Sequence, residues 1–183
     1  MIWDIDETAG NALATQLQSE GKSVIFQKVN TCDEENISQS VEIILSKYSK
    51  IDVLINNAGI LLFKEITNIQ DDEFDRIIDI NFKSVFYALR EASTKISDNG
   101  RVVTISSTVT RMMLPKYGAY AATKAAVEQL TRTFAREMGT RGITANIVSP
   151  GPVDTELFRV GKTIQDIERM SAMAALGRLG KVD

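Results

Sequence analysis

Tyr120 and Lys124 are the two side chains whose types and spacing most directly suggest chemistry. They lie four residues apart in an alanine-rich stretch of helical pattern, so both side chains project from one face of a helix. A phenol with a pKa of about 10 is a weak acid or base at neutral pH, but a nearby ammonium stabilises the phenolate and lowers that pKa. The pair can therefore donate and accept a proton, although an ordinary exposed pair has the same spacing.

The histidine and cysteine counts exclude several other chemistries. The 183 residues contain no histidine and one cysteine, Cys32. Ser-His-Asp and Cys-His nucleophile systems, HExxH zinc sites and multi-thiolate zinc sites are therefore excluded, and no metal site is expected. Acid-base chemistry near neutral pH is left to tyrosine, lysine or carboxylate side chains.

Charge and hydropathy argue against a nucleic-acid or membrane partner. The formal net charge is -3, from 21 basic and 24 acidic side chains, which argues against a nucleic-acid binder. No apolar run reaches about 18 residues, and the N-terminus shows no secretory signal. We expect a cytoplasmic protein that acts on small molecules and has neither nucleic acid nor a membrane as its partner.

Short apolar runs alternate with helical patterns along the chain. Helices are predicted over residues 8–19, 33–48, 71–96 and 117–138 and in the tail from residue 155, and strands over residues 1–5, 23–29, 52–56, 101–106 and 143–148. The alternation predicts a single α/β domain, residues 1–183, built on a doubly wound, Rossmann-like parallel sheet covered on both faces. Ligands of such sheets bind beyond the carboxyl ends of the strands.

Polar segments stand at those strand ends. Asn56–Gly59 follows the third predicted strand, Ser106–Ser107 the fourth and Pro150–Thr155 the fifth. Asn81 lies within the long predicted helix, where an asparagine is mildly unfavourable without a specific role. Together with the tyrosine–lysine pair, these segments are difficult to explain by packing alone.

With these motifs the sequence resembles the classical short-chain dehydrogenases/reductases. The matching stretches are NNAG at 56–59, the asparagine of DINF at 81, ISS at 105–107, YAATK at 120–124 and SPGPVDT at 149–155. The resemblance implies that Tyr120 exchanges the proton of an alcohol or carbonyl and that Lys124 lowers its pKa and holds the nicotinamide ribose. It further implies that Ser107, rather than its neighbour Ser106, binds the substrate oxygen. Asn81 is implied to support a water in a proton relay.

The same resemblance implies a nicotinamide dinucleotide cofactor. The residues implied to bind it, besides Tyr120 and Lys124, are Asp4, Asn30, Asn57, Ala58, Gly59, Pro150, Gly151, Val153 and Thr155. Asp4 resembles the family's acidic residue at the adenosine ribose, where a carboxylate accepts from the hydroxyls and repels a 2′-phosphate, so NAD is expected over NADP. Asn30 stands where the family usually has aspartate near the adenine, and its amide oxygen can still accept.

The sequence departs from the family at both ends. It contains no GxxxGxG turn for the pyrophosphate, Met1 falls where the second strand begins, and residues 177–183 fall where the family continues into a helix and a last strand. We therefore expect an incomplete domain that lacks the first strand with its glycine-rich loop and the last strand. In the strand order 3-2-1-4-5-6 two edges would then lack a partner, so either the sheet closes up or residues 1–29 detach. The activity of the 183-residue chain is expected to be impaired.

The leading functional expectation is an NAD(P)-dependent oxidoreductase that interconverts a secondary alcohol and a ketone by hydride transfer, with Tyr120 as acid and base. One alternative is a reductase of 3-oxoacyl thioesters on acyl carrier protein, and another is a truncated, non-catalytic protein that only binds partners. The related sugar-nucleotide epimerases fit the NNAG and SPGPVDT segments less well. The substrate surface is expected from Leu61–Phe63, Arg111–Lys116 and a lid over residues 154–179. The family's subunit interface, formed by the helices at 71–96 and 117–138, predicts a homo-oligomer, with a tetramer ahead of a dimer.

Overall fold

Five short parallel strands and seven α-helices alternate along residues 1–182, the part of the chain that this computed structural model describes. Asp183, the last residue of the predicted domain, lies outside that range. The strands are β1 (Ile2–Asp4), β2 (Phe26–Lys28), β3 (Val53–Asn56), β4 (Arg101–Ile105) and β5 (Thr144–Val148). The helices are α1 (Glu7–Ser19), α2 (Glu34–Tyr48), α3 (Asp71–Ile78), α4 (Ser84–Lys95), α5 (Gly118–Glu137), α6 (Glu156–Arg159) and α7 (Ile164–Met173). The predicted Rossmann-like α/β class is confirmed.

The strands form two separate parallel sheets. Strand β1 pairs with β2, and β3, β4 and β5 form a second sheet in that order, with Asn56 opposite Thr104 and Thr104 opposite Ile147. One edge of β1 and one edge of β3 have no strand beside them among the described residues. The predicted closing-up of the sheet is therefore not observed, and an open cleft lies between the two sheets.

Helices α2 and α4 hold the two sheets together, so the first 29 residues do not detach. Helix α2 packs on α4, and its buried Ile37 and Val41 form a cluster with Val29, which follows β2, and with Trp3 of β1. Two ion pairs join the same helices, Glu34 with Arg90 and Glu42 with Lys95, the second at 2.6 Å. The expectation of a detached N-terminal segment is wrong because this helix pair bridges the cleft.

The three-stranded sheet is covered on one face. Leu54, Val102 and Ala145 lie side by side on the face packed against α4 and α5. On the opposite face Val53 is 54% and Ile55 60% exposed. The prediction of a sheet covered on both faces is therefore wrong for β3–β5, because the helices that pack on it among residues 1–182 all lie on one side.

Two predicted helices are interrupted. The expected helix over residues 71–96 contains a π-helical turn at Asp79–Lys83, where the Ser84 N–H donates to the Asp79 carbonyl, between α3 and α4. The tail forms two short helices, α6 and α7, whose N-caps are Thr155 and Thr163. The second strand is shorter than the predicted residues 23–29. The remaining helices and strands begin and end close to the predicted residues.

Candidate active site

Helix α5 carries Tyr120 and Lys124 into the interior at the carboxyl end of β4. Tyr120 is 8% and Lys124 5% exposed. The ammonium of Lys124 donates to the carbonyl oxygen of Ile105, the last residue of β4, at 2.9 Å, and lies 5.8 Å from the centre of the Tyr120 ring. The predicted pair is thus formed on one helix face and anchored to the neighbouring strand.

Burial dominates the ionisation of both groups. It raises the pKa of Tyr120, and a hydrogen bond with the Ser107 hydroxyl lowers it only in part. It lowers the pKa of Lys124 to about 8. The expectation that Lys124 holds the pKa of Tyr120 below its ordinary value is therefore not met here, because the ammonium is directed at the Ile105 carbonyl. Tyr120 is a protonated phenol at neutral pH.

Ser106 and Ser107, which follow β4, contact different side chains. Ser106 is buried, and its hydroxyl donates to a carboxylate oxygen of Glu128 at 2.8 Å. Ser107 is the N-cap of a single 3-10 turn at Thr108–Arg111, accepts from the Val109 N–H at 3.4 Å, and is the serine that interacts with Tyr120. The structure therefore places Ser107 beside the Tyr120 phenol, whereas the Ser106 hydroxyl is directed at Glu128.

Asn81 is fully buried in the π-helical turn, and both polar atoms of its amide have protein partners. Its Oδ1 accepts from the N–H of Ile60 at 2.8 Å, and its Nδ2 donates to the Ile60 carbonyl at 2.9 Å and to Thr123 Oγ1 at 3.2 Å. The side chain therefore holds the loop after β3 against α5. Because an amide oxygen can accept two hydrogen bonds and Oδ1 accepts one here, the implied support of a relay water by Asn81 stays a prediction.

A cavity of about 700 Å³ occupies the cleft between the two sheets. Its rim at the carboxyl ends of the strands contains five of the predicted cofactor residues, namely Asp4, Asn30, Asn57, Ala58 and Gly59. Its deeper part is apolar and includes Trp3, Val53 and Ile55. A Cβ on Gly59 would lie 3.4 Å from Lys124 Nζ, so the rim reaches the ammonium. The structure thus places five of the nine residues on one cavity rim, which approaches Lys124 at Gly59.

The polar groups on this rim are partly engaged by their own loops. Asp4 Oδ1 accepts from the N–H of Asp6 at 2.9 Å, and Asp6 in turn caps α1 through the N–H of Ala9. Asn30 Oδ1 accepts from the N–H of Cys32 at 3.1 Å. Both side chains are exposed and keep further acceptor capacity for a ligand.

The remaining predicted cofactor residues lie beyond β5, next to the Ser107 turn rather than on the rim of the cavity. The Pro150 carbonyl accepts from the N–H of Thr108 at 3.0 Å. Val153 forms an isolated parallel bridge with Gly180, and Thr155 Oγ1 caps α6 by accepting from the Phe158 N–H at 3.1 Å. Gly151, between them, is exposed. This segment and the cavity rim flank the end of β4 from opposite sides, since β4 is the middle strand.

Sequence reasoning missed an aromatic cage on the predicted lid. The ammonium of Lys162 lies 4.7 Å from the ring centre of Phe63, 5.3 Å from that of Tyr117 and 4.6 Å from that of Phe158, and it donates to the Phe158 carbonyl. Burial lowers the pKa of Lys162 to about 8. The Tyr117 ring also contacts the Tyr120 ring edge-on, with ring centres 6.2 Å apart. Lys162 thus connects the predicted lid segment to Tyr120 through the Tyr117 ring, and no sequence motif marks this lysine.

The described residues contain neither a membrane-spanning helix nor a metal-binding group of side chains. Within residues 1–182 there is no helix both long and apolar enough to cross a membrane. Over the same residues, no three His, Cys, Asp or Glu side chains lie together as a metal-binding group.

The sequence of this chain is similar to those of known dehydrogenases and reductases. A family model described as Enoyl-(Acyl carrier protein) reductase matches residues 1–183. A short-chain type dehydrogenase/reductase of Picea abies is 37% identical over 168 residues, which cover 90% of this chain and 62% of that protein. The 3-oxoacyl-acyl-carrier-protein reductase FabG of Escherichia coli is 34% identical over 179 residues, or 95% of this chain and 70% of that protein.

Solved structures agree in fold. A putative dehydrogenase from Burkholderia cenocepacia with bound NADP superimposes with a TM-score of 0.90 at 28% identity, covering 96% of this chain and 67% of that one. The chain spans less than two thirds of the length of the Picea abies relative.

Proposed function

The chain belongs to the short-chain dehydrogenase/reductase family, and from that premise we propose that it performs nicotinamide-dependent hydride transfer between a secondary alcohol and a ketone. One observation carries the proposal: Ser107, Tyr120 and Lys124 come together at the carboxyl end of β4, from a turn and a helix that are far apart in sequence. Membership of the family alone does not guarantee this arrangement of three side chains, because a protein can keep the fold of its family without the catalytic residues.

The protonation states favour the direction of carbonyl reduction. Because the pKa of Tyr120 is raised, its phenol carries a proton at neutral pH and can donate it to the oxygen of a carbonyl substrate as an alkoxide develops there. The Ser107 hydroxyl donates a second hydrogen bond to the same oxygen, and two such donors in a buried site stabilise the developing charge. A bound reduced nicotinamide supplies the hydride that the carbonyl carbon receives.

The cavity rim fits the cofactor's sugar and base. Asp4 and Asn30 offer acceptors for ribose hydroxyls and adenine, and Asn57–Gly59 brings backbone close to Lys124. The Lys124 ammonium has three N–H donors, of which one is used by Ile105, so two remain for ribose hydroxyls. We propose that Lys124 acts mainly in holding the cofactor, since its charge is directed away from the phenol.

The acidic start of α1 favours NAD over NADP. Asp4, Asp6 and Glu7 place three carboxylates at the end of β1, where a 2′-phosphate would be repelled. The solved Burkholderia relative contains NADP, so the two cofactors have to be compared directly. We expect NADH to bind more tightly than NADPH, and Asp4→Asn to reduce that preference. An equal or greater affinity of the unmodified chain for NADPH, measured by titration calorimetry, would overturn this part of the proposal.

The affinity for either cofactor is expected to be weak. Glycine-rich turns at helix N-termini bind the pyrophosphate in dinucleotide folds, and the 183 residues contain no such spacing. We therefore propose dissociation constants above the micromolar range for the 183-residue chain, with correspondingly slow turnover. Micromolar binding of NADH by this chain would contradict that expectation.

A second candidate substrate is a 3-oxoacyl thioester on acyl carrier protein. It is supported by the 34% identity to the Escherichia coli reductase and by the description of the matching family model. The surface beside Tyr120 fits either class, since it combines the apolar Leu61–Phe63 and Leu114 with the exposed cations Arg111 and Lys116.

Assembly into a homo-oligomer is also proposed. Phe74 on α3 and Phe86 on α4 are 46% and 40% exposed, and Ala122 and Ala125 on α5 are open to close helix approach. Light scattering is expected to give a dimer or tetramer. A monomer at all concentrations would remove this part of the proposal.

The decisive experiment compares turnover with two nicotinamides and two substrate classes. Oxidation of NADH and NADPH is followed with a panel of small ketones and with a 3-oxoacyl thioester, using the unmodified chain and Tyr120→Phe. Turnover that disappears in Tyr120→Phe supports the proposal, and the preferred substrate decides between the two classes. If Tyr120→Phe turns over as fast as the unmodified chain, the proposed role of Tyr120 is wrong. If a folded, self-associating chain shows neither binding nor turnover of either nicotinamide, the non-catalytic alternative replaces the enzyme.

A further inference from the structure

Glu128 is a buried carboxylate that the proposed chemistry does not use. It is 5% exposed and lies on α5, about one turn after Lys124 and two turns after Tyr120. A buried carboxylate is costly unless hydrogen-bond donors compensate for its lost hydration. Its partners therefore indicate the role it serves.

Three donors surround this carboxylate, and two of them flank Ser107. One oxygen, Oε1, accepts from Ser106 Oγ at 2.8 Å and from Thr110 Oγ1 at 2.9 Å. The other, Oε2, accepts from Arg132 at 2.8 Å. Ser106 directly precedes Ser107, and Thr110 follows it by three residues. A single oxygen thus contacts one residue on either side of Ser107.

We propose that Glu128 is a positioning residue that fixes the Ser107 hydroxyl against the phenol of Tyr120. The inference rests on the proposed roles of Ser107 and Tyr120. Because Glu128 and Tyr120 belong to the same helix, a clamp from Glu128 to the Ser107 turn fixes the separation of the two hydroxyls. The Thr110 hydroxyl also lies 3.0 Å from the Ser107 carbonyl, so its single proton is shared between Glu128 and the backbone of Ser107.

The ionisation of Glu128 suits this role. Burial acts to raise its pKa, but the hydrogen bonds from Ser106, Thr110 and Arg132 outweigh burial and hold the pKa below its ordinary value. The Glu128 side chain is therefore a carboxylate at neutral pH. In this form it accepts hydrogen bonds from the Ser106 and Thr110 hydroxyls at once, and it is a better acceptor than a protonated acid. Each donor hydroxyl is held by a charged acceptor, which makes stronger hydrogen bonds than a neutral one.

The test reads the pKa of Tyr120 in the unliganded chain. Positioning and plain electrostatics predict opposite signs for Glu128→Ala. Losing the clamp frees Ser107 and removes the hydrogen bond that lowers the pKa of Tyr120, so that pKa rises. Losing a nearby negative charge, by itself, makes the phenolate easier to form, so that pKa falls. The measurement needs neither cofactor nor turnover, so its outcome is separate from that of the proposed function.

The chain is labelled with 3-fluorotyrosine, whose phenol ionises at lower pH than tyrosine, and titrated by fluorine NMR. The Tyr120 signal is assigned by its absence from Tyr120→Phe. We expect Glu128→Ala to raise the Tyr120 pKa by as much as Ser107→Ala does, and the double variant to raise it no further. Glu128→Gln keeps an acceptor oxygen for the two hydroxyls and is expected to restore most of the lower value.

Two further variants keep the test decisive if Glu128→Ala does not fold. Ser106→Ala combined with Thr110→Val removes both clamped hydroxyls and leaves the carboxylate in place, and it is expected to raise the Tyr120 pKa as well. Arg132→Gln removes only the outer partner and is the matched control, with the Tyr120 pKa close to that of the unmodified chain. A fall of the Tyr120 pKa in Glu128→Ala, or no change in the Ser106/Thr110 double variant, would overturn the proposal.

Discussion

Replacing Lys124 by methionine is expected to stabilise the fold at neutral pH. The folded pKa of Lys124 is about 8 against an ordinary value of 10.5, because burial disfavours its charge. At 1.36 kcal/mol per pH unit, this difference means that holding the ammonium in the folded state costs about 3 kcal/mol at pH 7. Methionine removes that cost and also the hydrogen bond to Ile105, worth about 1 kcal/mol. The net expectation is a gain of about 1–2 kcal/mol in the free energy of unfolding.

The stability cost of the buried Lys124 ammonium decreases as pH rises. Below pH 8 the lysine is charged in both the folded and the unfolded chain, so the full cost is present. Between pH 8 and 10.5 the unfolded chain binds more protons than the folded one, and the unmodified protein therefore gains stability as pH rises. About 2.5 kcal/mol of the cost is lost between pH 7 and about pH 10. Over the same range Lys124→Met should lose its advantage over the unmodified chain.

Urea unfolding followed by circular dichroism at several pH values measures both quantities. Taking the difference between the two proteins cancels other titrating groups, including Lys162, whose folded pKa is also about 8. The reasoning is refuted if Lys124→Met is less stable at pH 7, or if the difference between the two proteins does not change with pH.

Three other perturbations test the surroundings of the site. Asn81→Ala leaves both backbone groups of Ile60 without their partner and is expected to lower the free energy of unfolding by about 2–4 kcal/mol in urea titrations; a loss below about 0.5 kcal/mol would contradict the assigned contacts. Lys162→Met removes the ammonium from three rings and should speed amide hydrogen exchange across α6 and α7, whereas unchanged exchange would show that the cage does not hold the lid. Gly10→Ala places a Cβ about 2.0 Å from the Phe26 ring. Overpacking of about 1–3 kcal/mol should exceed the helix-propensity gain of about 1 kcal/mol, so the variant should lose thermal stability. A net gain in thermal stability would show that the ring moves aside freely.

Elements with strong local signals were predictable from the sequence. Helix α2 begins where Asp33 can cap it and buries the apolar side chains that recur at helical spacing, Ile37 and Val41. Helix α1 is followed by Gly21 at a positive φ of 79°, as a glycine stop predicts. Such features depend on neighbours in sequence, so they can be read without the tertiary structure.

The exposed face of the three-stranded sheet could not be predicted in this way. The run DVLIN at 52–56 is apolar enough for a strand buried on both faces, yet Val53 and Ile55 are more than half exposed. Which face of a strand is covered depends on helices distant in sequence. The pattern of apolar residues in β3 therefore predicts a buried strand correctly only for its Leu54 side.

The site itself was predictable in its residues but less so in their contacts. Motif spacing identified Ser107, Tyr120 and Lys124, and the unusual position of Asn81 in a helix signalled a role. The direction of the Lys124 ammonium and the hydrogen bonds of the Asn81 amide depend on Ile105 and Ile60, which no motif marks. Glu128 is one of 24 acidic side chains and becomes distinctive only when its burial is known.

The most direct test of the central claim follows the hydride and its dependence on Tyr120. The chain is incubated with an excess of NADH carrying deuterium at the transferring position and with the ketone that the turnover panel selects, and the product alcohol is analysed by mass spectrometry. The account predicts one deuterium at the carbinol carbon with the unmodified chain and loss of nearly all labelled product with Tyr120→Phe. Labelled alcohol formed equally well by Tyr120→Phe, or alcohol formed without deuterium, would contradict it.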